Sequence, residues 1–251
     1  IHVKKISAKK LKPYALKSLC TPHGLDSTCC TLRTRVVNTI LKIDEISLSF
    51  ASNGADVSVL KRYSLTLQAG ETVCILGPSG CGKSSLLRVI AGFETIDAGA
   101  IYLNDTLLSS ASHTVAPEHR RVGFMFQDYA LFPHLNVAQN IGFGLKKLSA
   151  EAREQQVQAL LKLVDLEPYA KRFPHELSGG QQQRAALARA LAPKPDILLL
   201  DEPFSNLDAD TRERLIVELR AILKQTGVTT LMVTHSHSEA VALGDRIERM
   251  G

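Results

Sequence analysis

The stretch TVCILGPSGCGKSSLLRVIAG, Thr72–Gly92, decides how the rest of the chain is read. Thr72–Leu76 is a short, continuous apolar run and reads as a strand. Ser84–Ala91 repeats its apolar residues with helical period and stops at Gly92, a residue suited to ending a helix. Between them, Gly77-Pro-Ser-Gly-Cys-Gly-Lys-Ser84 fits the pattern G-x-x-x-x-G-K-S/T. Its small residues let backbone N–H groups wrap an anion where the helix begins. Lys83 supplies charge to the β- and γ-phosphates of a nucleotide, and Ser84 supplies an oxygen ligand for Mg²⁺. Strand, phosphate loop and helix in this order predict an α/β fold with a P-loop NTPase core.

Upstream of this segment, Leu41, Ile43, Ile46, Leu48 and Phe50 alternate loosely, and Tyr63, Leu65 and Leu67 alternate strictly before Gly70. These predict an antiparallel β-subdomain. Beyond Gln127 the texture is helical. Val157, Leu160, Leu161 and Val164 follow helical spacing after a cap at Ser149, giving a helical subdomain over about 128–180. Ile197–Leu200 and Thr229–Thr234 are two further buried strands. The amphipathic helix between them carries Leu215, Leu219, Ile222 and Leu223, which is the βαβ rhythm of a parallel sheet.

Two carboxylates, Asp201 and Glu202, stand at the carboxyl end of the first of these strands, where α/β sheets place their ligands. Side chains alternate along a strand, so the pair is expected to diverge. Asp201 then faces Mg²⁺ through water, and Glu202 faces the attacking water as general base. Leu177-Ser-Gly-Gly-Gln-Gln-Gln-Arg184 precedes an alanine-rich helix. Gly179 and Gly180 expose N–H groups to an anion there, and Ser178 is the expected N-cap.

The phosphate loop, the LSGGQ signature and the Ile197–Asp208 stretch, in this order and spacing, resemble the nucleotide-binding subunits of ABC transporters. The resemblance covers about residues 40–251. It implies a homodimer that sandwiches two ATP molecules, each between one copy's phosphate loop and the other copy's signature. The ATP-binding set is then Phe50, which stacks on adenine, Gly77, Pro78, Ser79, Gly80, Cys81, Gly82, Lys83, Ser84 and Ser85. Gln127, Ser178, Gly179, Gly180, Gln181, Asp208 and His235 complete it. Catalysis falls to Glu202, His235, Gln127 and Lys83. Gln127 matches the glutamine that senses Mg²⁺ and water, which makes Ser84, Gln127 and Asp201 the metal set. Ser205–Asp208 matches the D-loop, and His235 the switch histidine that holds the γ-phosphate and orients the base.

Within that family, the run from Phe124 to Leu145, including Phe126–His134, resembles importer subunits serving ferric iron, polyamines, sulfate, thiamine or sugars, with ferric iron the first choice. It implies two transmembrane permease subunits as partners, which this segment meets through a coupling helix, and a periplasmic or surface solute-binding protein acting indirectly. It also implies a peripheral place on the cytoplasmic face of a bacterial inner membrane. Ser85 stands where Thr is usual, Asn206 where Ala is usual and Ser236 where Asp is usual. Importers of this kind continue into a regulatory β-domain, whereas this chain stops at Gly251. The rival within the superfamily is a soluble ABC ATPase acting on nucleic acid or the ribosome. Such proteins carry tandem cassettes or a long coiled coil, and neither is read here.

Composition fits this reading. The chain has 251 residues and a formal charge of +5, but residues 1–39 hold eight Lys and Arg against the single acid Asp26. The remainder, with 22 basic and 24 acidic residues, is slightly acidic, so no nucleic-acid partner is expected. The longest apolar runs, such as Ile197–Leu200, fall far short of the roughly 18 residues of a membrane-spanning helix. Residues 1–39 lack hydrophobic periodicity and the apolar core of a secretory signal, and read as a basic extension, disordered or not native. Cys20, Cys29 and Cys30 lie in it, without the spacing of a metal site.

Overall fold

The computed structural model describes residues 38–52 and 55–251; the basic extension, up to residue 37, lies outside the described residues. In chain order the strands are β1 (Thr39–Ser52), β2 (Ala55–Gln68), β3 (Thr72–Leu76), β4 (Ala98–Leu103), β5 (Thr106–Ser110), β6 (His113–Thr114), β7 (Val122–Met125), β8 (Ile197–Asp201), β9 (Thr229–Thr234) and β10 (Arg246–Arg249). The α-helices are α1 (Lys83–Ala91), α2 (Val137–Gly142), α3 (Ala150–Leu163), α4 (Gly179–Leu191), α5 (Ala209–Thr226) and α6 (His237–Leu243).

The strands form two sheets. One is antiparallel, in the order β2-β1-β4-β5-β6; the other, β10-β3-β9-β8-β7, is parallel throughout. The loose alternation of β1 has a physical cause. Ile43 and Ile46 are both buried although three residues apart, a step that should send them to opposite faces. The register slips between them, with Glu45 in the left-handed region at φ 46°, and this irregularity restores the inward face. Between β4 and β5 the two-residue turn Asn104-Asp105 has positive φ at both positions, 48° and 60°, which suits the twist of a tight hairpin.

Helix α1 lies in the hydrophobic layer between the sheets. Leu86, Leu87 and Ile90 pack with Leu41 and Ile43 of β1 and with Val73, Ile75, Ile197, Leu199, Leu231 and Val233 of the parallel sheet. The alternate residues Cys74, Leu198, Leu200 and Met232 face the second layer, built by α2 to α6. Burial on both faces explains why these strands read as continuous apolar runs. No strand interrupts the chain between Met125 and Ile197, and Ser149 caps α3 as expected. The mixed α/β architecture, with its antiparallel sheet and P-loop core, matches the expectation from sequence. Among the described residues, no helix is long and apolar enough to cross a membrane.

Candidate functional site

The site forms at the carboxyl ends of β3, β7, β8 and β9, where the chain leaves the parallel sheet. The Gly77–Gly82 turn is shaped by what surrounds it. A Cβ on Gly77 would collide with the Met250 carbonyl, and one on Gly82 would come within 2.9 Å of Val59 Cγ1 on β2. Gly80 instead has φ 82° and open space where its Cβ would point. This is a cradle with glycine required at its walls and room at its crest, and it fits a phosphate chain. Pro78, Ser79 and Gly80 are exposed, and Cys81 is a half-buried free thiol.

Lys83 and Ser84 begin α1, with Ser85 beside them. Lys83 is buried, and its Nζ donates to the carbonyls of Gly77 at 2.8 Å and Pro78 at 2.7 Å. An ammonium has three donors, so one remains for a ligand. Ser84 Oγ donates to Asp201 Oδ1 at 2.8 Å. Burial pushes the Asp201 carboxyl above the usual range, while the Ser84 bond acts in the opposite direction. Both residues line a cleft of about 470 Å³ shared with Gln127, Arg88, Phe126, Asp128 and Asn206. The three expected metal residues are therefore brought together, and their hydroxyl, amide and carboxylate oxygens are the hard donors that suit Mg²⁺.

Asp201 and Glu202 do diverge, but not by strand alternation. β8 ends at Asp201, and Glu202 turns away through a left-handed backbone, φ 43°. Such a conformation is costly for a residue with a side chain and clusters at functional sites. It brings Glu202 Oε2 to 3.2 Å from His235 Nδ1 and Oε1 to 4.0 Å from Lys83 Nζ. Glu202 is mostly buried, whereas the His235 side chain is half exposed.

The signature is a helix cap. Ser178 Oγ accepts from the Gln181 N–H at 3.3 Å, and the Gln181 side chain accepts from the Ser178 N–H at 2.9 Å. Ser178 and Gly179 are exposed, and Gly180 is packed against Leu215. None of Ser178–Gln181 lines the cleft of Ser84 and Asp201. Asp208 likewise lies outside it and caps α5, accepting from the Thr211 N–H at 2.9 Å; that bond lowers its pKa. Phe50 is 38% exposed on β1, opposite Val57, whose strand carries the Val59 that packs on Gly82. The cleft residues not anticipated as site residues are Arg88, Phe126, Asp128 and Asn206. Arg88 carried a signal, one helical turn beyond Ser84 on α1.

A family model described as ABC transporter matches residues 60–205. The chain is 45% identical over 212 residues to the Fe(3+) ions import ATP-binding protein FbpC of Fusobacterium nucleatum, covering 84% of this chain and 55% of that protein. It is 49% identical over 197 residues to the spermidine/putrescine import ATP-binding protein PotA of Thermotoga maritima, covering 78% and 52%. The chain thus spans about half the length of these curated relatives. In structure it resembles the ATP-binding cassette MJ0796, solved as a dimer bound to ADP and Pi, with a TM-score of 0.74, 32% identity, and coverage of 84% of this chain and 94% of that one.

Proposed function

This chain belongs to the ABC transporter family and carries its ATPase domain, and we propose that it hydrolyses ATP to energise an importer. The observation that carries the reading is the convergence of Lys83, Ser84, Asp201, Glu202 and His235 at one end of the parallel sheet, with Ser84 bonded to Asp201 at 2.8 Å, Glu202 at 3.2 Å from His235 and Lys83 at 4.0 Å from Glu202. The phosphate loop and Lys83 bind the phosphates and keep the γ-phosphoryl group fixed for in-line attack. Ser84, Asp201 and Gln127 hold Mg²⁺, which supplies charge neutralisation at the phosphate oxygens. Glu202, steadied by His235, accepts a proton from the attacking water as its oxygen bonds to the γ-phosphorus. The bond from that phosphorus to the β–γ bridging oxygen breaks, and ADP and phosphate leave.

A second copy completes each site. Ser178, Gly179, Gly180 and Gln181 sit at the N-terminus of α4, away from their own cleft, and in a homodimer they meet the nucleotide held by the partner. The dimeric cassette bound to ADP and Pi supports this reading. The membrane partners are two permease subunits met by the run from Phe124 to Leu145, with a solute-binding protein acting through them, and the ATPase works at the cytoplasmic face of the membrane. Ferric iron is the first reading for the solute and polyamine the second, since relatives carry both names. Reconstitution with the cognate permease in liposomes tests the choice. Phosphate release stimulated by a ferric-loaded binding protein and unmoved by a spermidine-loaded one supports iron; the reverse result supports polyamine. No stimulation by either, with intact basal hydrolysis, refutes both.

A further inference from the structure

Asn206 occupies an exposed position in the Ser205–Asp208 loop, and an exposed asparagine ordinarily gives its amide to water. Here Nδ2 donates to the backbone carbonyl of Gln127 at 2.9 Å, joining segments 79 residues apart in sequence. The loop that carries it is anchored at its start, where the Ser205 N–H and Oγ–H both donate to the Glu202 carbonyl, at 3.2 Å and 3.1 Å. The Gln127 segment is anchored at its far end. Arg189 of α4 donates to the Tyr129 carbonyl at 2.9 Å and to that of Ala130, two residues held at positive φ, 62° and 45°. Between these anchors, Asn206 and Gln127 line the same cleft as Ser84 and Asp201. An alanine at 206 has no group with which to make the link.

We propose that Asn206 is a positioning residue for the Mg²⁺ site, fixing the Gln127 backbone so that the glutamine is presented to the cleft beside Ser84 and Asp201. The proposal rests on the reading of the cleft as an MgATP site. Asn206 is not itself a ligand in this account; it acts through Gln127. Loss of the amide removes the tie at Gln127 itself, while β7, whose Met125 pairs with Leu200, and the stacked Phe126 hold the segment on one side and Arg189 holds it on the other. The segment then samples positions in which Gln127 no longer meets the metal.

The test uses Asn206→Ala and Asn206→Asp, each combined with Glu202→Gln so that nucleotide is not turned over. Asn206→Asp nearly keeps the side-chain shape but replaces the donor with an acceptor facing a carbonyl. Two quantities are measured: amide hydrogen exchange over residues 126–130 without nucleotide, and the Mg²⁺ concentration giving half-maximal binding of a fluorescent ATP analogue. Exchange is expected to quicken in both variants, at least as much for Asp as for Ala. For Asn206→Ala the half-saturating Mg²⁺ concentration should rise about fivefold, the scale of one neutral hydrogen bond. Binding of the analogue without Mg²⁺ should stay unchanged. An unmoved Mg²⁺ dependence overturns the proposal even if exchange quickens, and unmoved exchange overturns it whatever Mg²⁺ does. If the protein with native Asn206 fails to bind the analogue, the nucleotide-site reading falls instead.

Discussion

Replacing Arg120 by Met should loosen the attachment of α1 to the antiparallel sheet, and the structure sets the size of the effect. Arg120 is 1% exposed, and among the described residues no carboxylate is a hydrogen-bond partner of it. Nε donates to the Val115 carbonyl at 2.7 Å, and Nη1 to those of Val89 and Ile90 at 2.9 Å each. Nη2 donates to the Leu108 carbonyl at 3.3 Å and to Ser109 Oγ at 2.8 Å. Val89 and Leu108 keep second partners in the N–H groups of Gly92 and Val115. The Ile90 and Val115 carbonyls and the buried Ser109 Oγ are left without one, at about 1–3 kcal/mol each. Removing a desolvated guanidinium recovers part of this, so we expect a net loss of about 3 kcal/mol. For a domain of this size that lowers Tm by about 6–12 °C. Arg120→Lys should fall with Met, because a shorter stem with three donors cannot reproduce a five-donor fork. Urea unfolding followed by circular dichroism measures both variants. If both lie within about 1 kcal/mol of wild type, the hydrogen bonds do not carry the stability assigned to them here.

Lys83→Ala removes a buried cation from the phosphate cradle and should weaken ATP binding itself, on the order of tenfold or more in Kd by titration; an unchanged Kd counts against the cradle. Cys81 sits within the same turn, so bulky alkylation should block nucleotide binding, and bound MgATP should slow labelling of this thiol. Equal labelling rates with and without nucleotide contradict that. Ser178→Arg in a Glu202→Gln background should leave monomer affinity for ATP unchanged and abolish ATP-dependent dimerisation in light scattering. A loss of affinity as severe as that of Lys83→Ala would place Ser178 within its own subunit's site.

Sequence legibility followed the strength of local signals. Thr72–Leu76, the helix ending at Gly92, and the caps at Ser149 and Ser178 are where reading placed them, because burial on two faces, a left-handed glycine and a side-chain cap each leave a local mark. β10 left none, because Arg-Ile-Glu-Arg reads as a polar surface segment although it pairs in parallel with β3 at the sheet edge. β4 was obscured by Gly99, which sits at φ 86° and packs onto the backbone of Asp44 and Glu45, where a Cβ would not fit. The two carboxylates show the limit of periodicity most clearly. Alternation predicted divergence, yet the turn at Glu202 produces it through a positive φ that no pattern of apolar residues encodes. The link from Asn206 to Gln127 was equally hidden, being a contact across 79 residues made by a side chain with no local signal.

In the proposed mechanism Glu202 accepts the proton of the attacking water, and Glu202→Gln isolates that role when ATP binding and phosphate release are measured on the same preparation. The amide keeps the shape of the side chain and removes its basicity. Binding should persist at near wild-type affinity, and hydrolysis should fall by about 10²–10⁴-fold, the range expected for loss of a positioned general base. Hydrolysis within a few-fold of wild type would remove Glu202 from that role and with it the mechanism proposed for this site.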